Sequence, residues 1–315
     1  MGHDKLRKFA ENETFSCLLQ PDASAVLDKS GDPSLGLRLN DHPVKGHWNS
    51  TMFKNDQPIV LELGCGKGEY TIDLSKRVPV NNYIGVDIKG ARLWRGAKTA
   101  TEENLPNVAF LRTRIEFIEA FFGPGEVSEI WLTFSDPQLK SENSRLTSPL
   151  FLERYRKFLK PGGVIHLKTD SRFLHEYSKA VALENDLTIL AATTDLYGSE
   201  GVFPPATVAT LGHVRGGTES EERGETTCCH DEFRDFGGVR GADVERRGYS
   251  LRAELYEVQT FYEKMFLAQG YKITYLAFTI DHEGPYRHPS TFDSDYWRSI
   301  EGPRRFSHSP SSSQR

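Results

Sequence analysis

The stretch that most restricts what this 315-residue chain can fold into is Pro58-Ile59-Val60-Leu61-Glu62-Leu63-Gly64-Cys65-Gly66-Lys67-Gly68, an apolar strand running into three glycines at alternate positions. Glycine lets the backbone pass close to a ligand in conformations closed to residues with a Cβ. Farther along, Tyr83-Ile84-Gly85-Val86-Asp87 reads as a second strand whose terminal carboxylate suits a ribose diol. The two together predict a nucleoside-binding crevice at the ends of neighbouring strands. A glycine turn of this kind also occurs in α/β proteins generally, so spacing and charge have to decide.

A dinucleotide fingerprint places its glycines as G-x-G-x-x-G and seats a pyrophosphate on a helix N-terminus. Here the spacing is G-x-G-x-G, and Glu62 stands two residues before the first glycine. That carboxylate would repel a phosphate. S-adenosylmethionine carries no phosphate, and its ammonium and sulfonium gain from a nearby anion. The motif therefore favours S-adenosylmethionine over a nicotinamide dinucleotide.

At 37% hydrophobic and 26% charged residues the chain can bury one sizeable core, which predicts a single catalytic domain. It has no run of eighteen or more apolar residues, its N-terminus is polar, and Leu6 stands where a myristoylation signal wants Ser or Thr. The expectation is a soluble, cytoplasmic protein without a membrane contact. Cys17, Cys65, Cys228 and Cys229 are too irregular for a disulfide framework or a paired zinc site. Cys228-Cys229-His230 with His213 is a poor metal cluster because adjacent cysteines rarely ligate one ion well, so no metal is expected. A net charge of −5 gives no general attraction to nucleic acid, but basic residues gather at Lys5 to Lys8, Lys89 to Lys98, Arg112 to Arg114 and Arg154 to Lys157.

From residue 58 to about 190, apolar strand candidates alternate with amphipathic helical segments. The strands are Ile59 to Leu63, Tyr83 to Asp87, Val108 to Leu111, Glu129 to Phe134, Val164 to Lys168 and Leu187 to Ala191. This alternation predicts an α/β fold with a parallel, doubly wound sheet. A helix from about Leu255 to Gln269 then leads to a seventh strand, Lys272 to Ile280, expected antiparallel at the sheet edge. Residues 1–57 read as a partly ordered arm, 58–197 and 251–281 as the catalytic domain, 198–250 as a disordered insertion and 282–315 as a disordered tail.

A second site candidate is Ile130-Trp131-Leu132-Thr133-Phe134-Ser135-Asp136-Pro137-Gln138-Leu139-Lys140, at the end of the fourth strand. Ligands of open α/β sheets lie beyond the carboxyl ends of the strands, so Asp136 would face the cofactor's methyl group. An ordinary Asp-Pro turn is the alternative. Lys168-Thr169-Asp170 brings another carboxylate to the same rim.

Taken together, these motifs resemble the bacterial tRNA (guanine-N7-)-methyltransferases. The matching pieces are Glu62 to Gly68, Tyr83 to Asp87, Leu105-Pro106-Asn107-Val108, Phe134-Ser135-Asp136-Pro137 with Lys140, Leu159 to Gly163, Thr169-Asp170 and Thr260-Phe261-Tyr262-Glu263. They span about 58 to 190 and 255 to 280. The resemblance implies a Rossmann-like class I fold and methyl transfer from S-adenosylmethionine to N7 of a guanine in the tRNA variable loop, position 46. It implies that Glu62, Gly64, Gly66, Gly68 and Asp87 hold the cofactor and that Asp136 is the active-site acid. Lys140, Asp170, Thr260, Tyr262 and Glu263 would contact tRNA, with Trp131, Phe134 and Tyr262 as candidate stacking aromatics, although Trp131 also reads as a buried strand residue.

This chain departs from the family pattern in places. Ser135 replaces a proline, Gln138 a tryptophan, and Ser141-Glu142-Asn143-Ser144 occupies a basic run of which only Lys140 and Arg145 remain. Arg114 stands near the position of the family's adenine-side carboxylate and is assigned to the cofactor. Two other readings fit the same fold, a small-molecule methyltransferase and a catalytically inactive RNA-binding homologue. Monomer and homodimer both remain open.

Overall fold

The computed structural model describes residues 3–28, 38–198 and 253–301. Residues 199–250 of the expected insertion, with Cys228, Cys229, His230 and His213, and residues 302–315 of the expected tail lie outside them.

Eight strands form one sheet: β1 Leu18–Leu19, β2 Ile59–Leu63, β3 Asn82–Asp87, β4 Val108–Arg112, β5 Val127–Thr133, β6 Leu159–Thr169, β7 Ile189–Thr193 and β8 Thr274–Thr279. Their order is β1-β4-β3-β2-β5-β6-β8-β7, and only β8 runs antiparallel to its neighbours. The α/β, Rossmann-like expectation holds, with the seven expected strands present and the two-residue β1 added beside β4. The last strand is not at the edge, however. It lies between β6 and β7, because Thr274, Tyr275, Leu276, Ala277 and Phe278 are buried on both faces, whereas β7 is only half-buried. Pro161-Gly162-Gly163 bulges the start of β6, whose pairing with β5 skips from Leu159 to Val164.

Alternation along the strands sends side chains to two different layers. Ile59, Leu61 and Leu63 of β2, Ile84 and Val86 of β3, Ile130 and Leu132 of β5 and Ile165 and Leu167 of β6 face one core. That layer is closed by α4 Pro149–Tyr155 and α5 Arg172–Glu184, with Trp48 and Phe53 of the N-terminal arm. Val60, Tyr83, Trp131 and Val164 face the opposite side, against Tyr70 and Leu74 of α2 Glu69–Arg77. On this side α3 Gly90–Glu102 packs over β4, and α1 His3–Asn12 packs on α3. By the same parity Glu62 and Lys168 point toward the α2 side. Trp131 is fully buried there, its ring stacked on His166 with centroids 4.2 Å apart, so it is a core residue and no base platform.

The sequence between 255 and 269 does not form one helix. A wide helical turn, Ala253–Glu257, precedes a break, and α6 Phe261–Ala268 starts at the N-cap Thr260, whose hydroxyl accepts the Glu263 N–H at 3.2 Å.

Residues 282–301, expected as part of an unpacked tail, are held against the domain. The Asn185 side chain brackets the Arg287 backbone with two hydrogen bonds of 2.9 and 2.7 Å. Glu184 accepts both the N–H and the hydroxyl of Ser290, and Phe292 sets its ring edge against Phe173 and Tyr177. Helix α7 Ser294–Glu301 follows, and the Glu301 carboxylate accepts the Phe173 N–H in the first turn of α5. Arg298 donates to the Leu139 carbonyl at 3.1 Å. The low-complexity appearance of the extreme C-terminus hid these polar anchors.

Candidate functional site

Beyond the carboxyl ends of β2, β3, β5 and β6 the sheet opens into a cleft of about 920 Å3. One wall is the glycine turn. Gly64 and Gly66 have φ of 81° and 58°, in the left-handed region, and a Cβ at either would meet nothing within 4 Å. The turn thus leaves empty space where any other residue would place a side chain. Gly68 is required for a different reason, since a Cβ there would sit 2.5 Å from the Phe110 ring.

Two carboxylates line this wall. Asp87 ends β3, where its Oδ2 accepts the Gly66 N–H at 3.0 Å and its Oδ1 the Lys89 N–H at 2.7 Å. The acid therefore ties the turn to the start of α3. Glu62 is buried, its Oε2 accepting both donors of Thr71 and its Oε1 the Thr133 hydroxyl at 2.6 Å. Burial pushes its carboxyl up to about 7, Asp87 adds to the rise, and the two threonines hold it back. A cation in the cleft would restore the charged form. Burial likewise raises the neighbouring Cys65 thiol well above its ordinary range, with Glu62 and Asp87 adding to it, so it is an inert core thiol.

The facing wall begins where β5 leaves the sheet. Phe134 has φ of 51°, a costly conformation for a bulky side chain, and is held there by its N–H bonded to the Lys168 carbonyl at 2.9 Å. Ser135 and Asp136 follow on the cleft wall. The Asp136 Oδ1 accepts the Gln138 N–H at 2.9 Å, which fixes an exposed carboxylate by an Asx turn. The Ser135 hydroxyl oxygen is buried and has no hydrogen-bond partner among the described residues. Asp170 reaches the same cleft from the end of β6.

Thr260, Phe261 and Tyr262 form a lip over the cleft, and Phe261 and Tyr262 are exposed. Phe134 also lines the cleft, its ring stacked on Phe266. Glu263 corrects the expectation for this motif. It is fully buried, paired with Lys168 at 2.7 Å and bonded to the Tyr197 hydroxyl at 2.6 Å, and it does not line the cleft. Thr-x-x-Glu is here a helix start whose glutamate turns inward. Arg145 is buried too, between the rings of Phe173 and Tyr177 at 4.7 and 4.3 Å, so it is no phosphate ligand. Lys140 is exposed on the turn after Asp136 but outside the cleft wall, and Arg114 lines the cleft while paired with Glu116. Among the described residues no group of three or more His, Cys, Asp or Glu side chains is placed to hold a metal ion, and no helix is long and apolar enough to cross a membrane.

The structure thus gathers Glu62, Gly64, Gly66, Asp87, Arg114, Asp136, Asp170, Thr260 and Tyr262 around one space and leaves Gly68, Lys140 and Glu263 outside it. Sequence reasoning missed Lys168 and Ser135 as shapers of the site. The only sign of the former was a lysine at an inward position of an apolar strand.

The cleft fits S-adenosylmethionine on its own features. It has an open glycine cradle, acidic groups for cationic ones, a carboxylate, Asp87, at the end of β3 beside that cradle and an orphaned polar atom at Ser135.

A family model described as "Putative methyltransferase" matches residues 56–210. The chain is 39% identical over 306 residues to the tRNA (guanine-N(7)-)-methyltransferase of Bacteroides fragilis strain YCH46, covering 97% of each chain. It is 42% identical over 279 residues to the protein of that name from Christiangramia forsetii, covering 88% of this chain and 98% of the relative. Among solved structures, the 16S rRNA methyltransferase KamB matches at 14% identity and a TM-score of 0.42, over 77% of this chain and 95% of that one.

Proposed function

Because the chain belongs to the tRNA (guanine-N(7)-)-methyltransferase family, we propose that the base it methylates is the variable-loop guanine at position 46 and that the cleft described above is where the transfer occurs. The enzyme is S-adenosylmethionine-dependent, and its product is 7-methylguanosine in tRNA. We place the reaction in the cytoplasm, with the chain acting as monomer or homodimer.

S-adenosylmethionine supplies an electrophilic methyl group on a sulfonium. In our reading Gly64 and Gly66 leave room for it, Gly68 lets the turn close onto Phe110, Glu62 offers charge to its cationic end, Asp87 takes the ribose hydroxyls and Arg114 flanks the adenine. Guanine N7 carries a lone pair at neutral pH, so no strong general base is needed and alignment supplies most of the rate. Asp136 is the catalytic carboxylate of this scheme. As a carboxylate it accepts hydrogen bonds from the guanine N1–H and N2–H edge and stabilises the positive charge that grows on the ring. Asp170 and Thr260 border the base, Tyr262 offers an exposed ring for stacking, and Lys140 meets a phosphate beyond the cleft. Glu263 is withdrawn from this set by its burial.

The observation that carries the proposal is the convergence of Asp136 and Asp170 with the glycine cradle on one cleft. Purified protein incubated with S-adenosylmethionine and unmodified tRNA should yield 7-methylguanosine by nucleoside mass spectrometry, mapped to position 46 by borohydride and aniline cleavage. Cleavage at another guanine would overturn the positional assignment. Tight donor binding and RNA retention with no transfer would mark an inactive homologue.

A further inference from the structure

Lys168 is fully buried near the end of β6, on the face that carries α2 and α6, and does not line the cleft. Its ammonium makes three hydrogen bonds, to the Leu255 carbonyl at 2.6 Å, the Val258 carbonyl at 3.1 Å and the Glu263 carboxylate at 2.7 Å. A lysine has three N–H donors and no acceptor, so two are spent on the stretch that leads into Thr260, Phe261 and Tyr262 and the third on Glu263 just after it. Through its backbone the same residue holds the other wall, since its carbonyl accepts the Phe134 N–H at the left-handed turn before Asp136. The Phe134 ring stacks on Phe266, a second tie across the same gap.

Burying a lone cation in an apolar sheet face is unfavourable, and burial does lower the Lys168 pKa while Glu263 holds it up. A leucine or methionine would fill that volume without this penalty, but neither could bond to three points on either side of the lip.

We propose that Lys168 is a positioning residue that locks the Thr260–Tyr262 lip to the Asp136 wall of the cleft, and that Glu263 serves the reaction by holding Lys168 rather than by touching RNA. The inference rests on the tRNA methyltransferase reading of the cleft.

Three variants test it: Lys168→Met, Lys168→Met/Glu263→Met, which leaves no unpaired buried charge, and Glu263→Gln, which keeps the shape and most of the hydrogen bonding. Each is assayed for melting temperature, donor affinity by calorimetry, tRNA kinetics, and amide exchange at residues 260–263. The double variant is expected to keep donor affinity within about twofold while kcat/KM for tRNA falls by about tenfold or more and exchange at the lip quickens. Glu263→Gln leaves the buried Lys168 ammonium without its counter-charge, so it should lower the melting temperature while kcat/KM falls no further than in the double variant. A folded double variant with wild-type tRNA kinetics and wild-type exchange would show that the pair only fills the core. Should the methionine variants not fold, Glu263→Gln decides. A loss as deep as that of an Asp136 variant, with melting temperature and donor affinity intact, would mean that the carboxylate touches substrate and would overturn the proposal. Inactivity of the wild-type chain on tRNA would instead count against the functional reading, leaving lip exchange to judge the clamp.

Discussion

Glu62 shows how one residue serves binding at the expense of stability. Its carboxyl rises on folding from 4.5 to about 7, so the folded form binds this proton more tightly than the unfolded one. Its contribution to stability is therefore fully present below about pH 4.5 and is lost as pH rises through about 7, a swing on the order of 3 kcal/mol. Glu62→Gln should then melt higher than wild type at pH 8, with little difference at pH 4.5, while losing most of its donor affinity. Because the bound donor restores the carboxylate, binding at pH 6.5 should release a proton, seen in calorimetry as an enthalpy that changes with the ionisation heat of the buffer. Asp136 carries no such structural burden, being exposed and fixed by its own turn. Asp136→Ala should lower kcat by about 10²-fold or more with donor affinity within about twofold, measured by single-turnover methylation and calorimetry. Gly64, Gly66, Asp87 and Asp136 were legible in the sequence because each sits at or just past a strand end, where chain direction alone decides what faces the cleft. Glu263 and Arg145 were not, since a charged residue after a loop reads the same whether it turns toward RNA or into a sandwich of aromatic rings.

Among the elements, the strands from β2 to β6 could be read from their apolar runs, and the C-terminal elements could not. The place of β8 between β6 and β7 depends on which strand is buried on both faces, a comparison that the short run at 187–191 does not reveal. The segment from 282 to 301 has little apolar periodicity and is held by Asn185, Glu184 and two rings, Tyr286 and Phe292. Such point anchors leave no periodic trace. Asn185→Ala should cost about 2 kcal/mol, because it removes a fully buried side chain and both of its hydrogen bonds to the Arg287 backbone. Phe292→Ala should cost about 2 kcal/mol or more through lost contact with Phe173 and Tyr177. Urea denaturation measures both. If α7 also steadies the Asp136 loop through the Arg298 bond to Leu139, these variants raise the KM for tRNA as well.

For the molecule as a whole, the residues on either side of 199–252 come together, as the Tyr197 hydroxyl lies 3.4 Å from the Leu255 carbonyl. Replacing 199–252 by a short Gly-Ser linker should therefore leave a folded protein with donor affinity within about twofold of the full chain, since closing a loop costs little more for a long one than for a short one. Circular dichroism and calorimetry on the excised form check this. The doubly wound architecture and the site's place above the strand ends were readable from alternation and the glycine turn. The joining of the cleft's two walls through the buried side of β6 was not, because it links segments that are distant along the chain.

The central position of β8 also has a bearing on how the chain is made. Until residues 274–279 leave the ribosome, β6 presents a bare hydrogen-bonding edge and β7 has no strand to pair with among those described. The nascent polypeptide thus carries an open, adhesive border throughout translation of everything from 194 to 273, a period when premature association with other chains is most dangerous. The sheet is therefore whole only once β8, the last of its strands in the chain, has been made and has entered between β6 and β7.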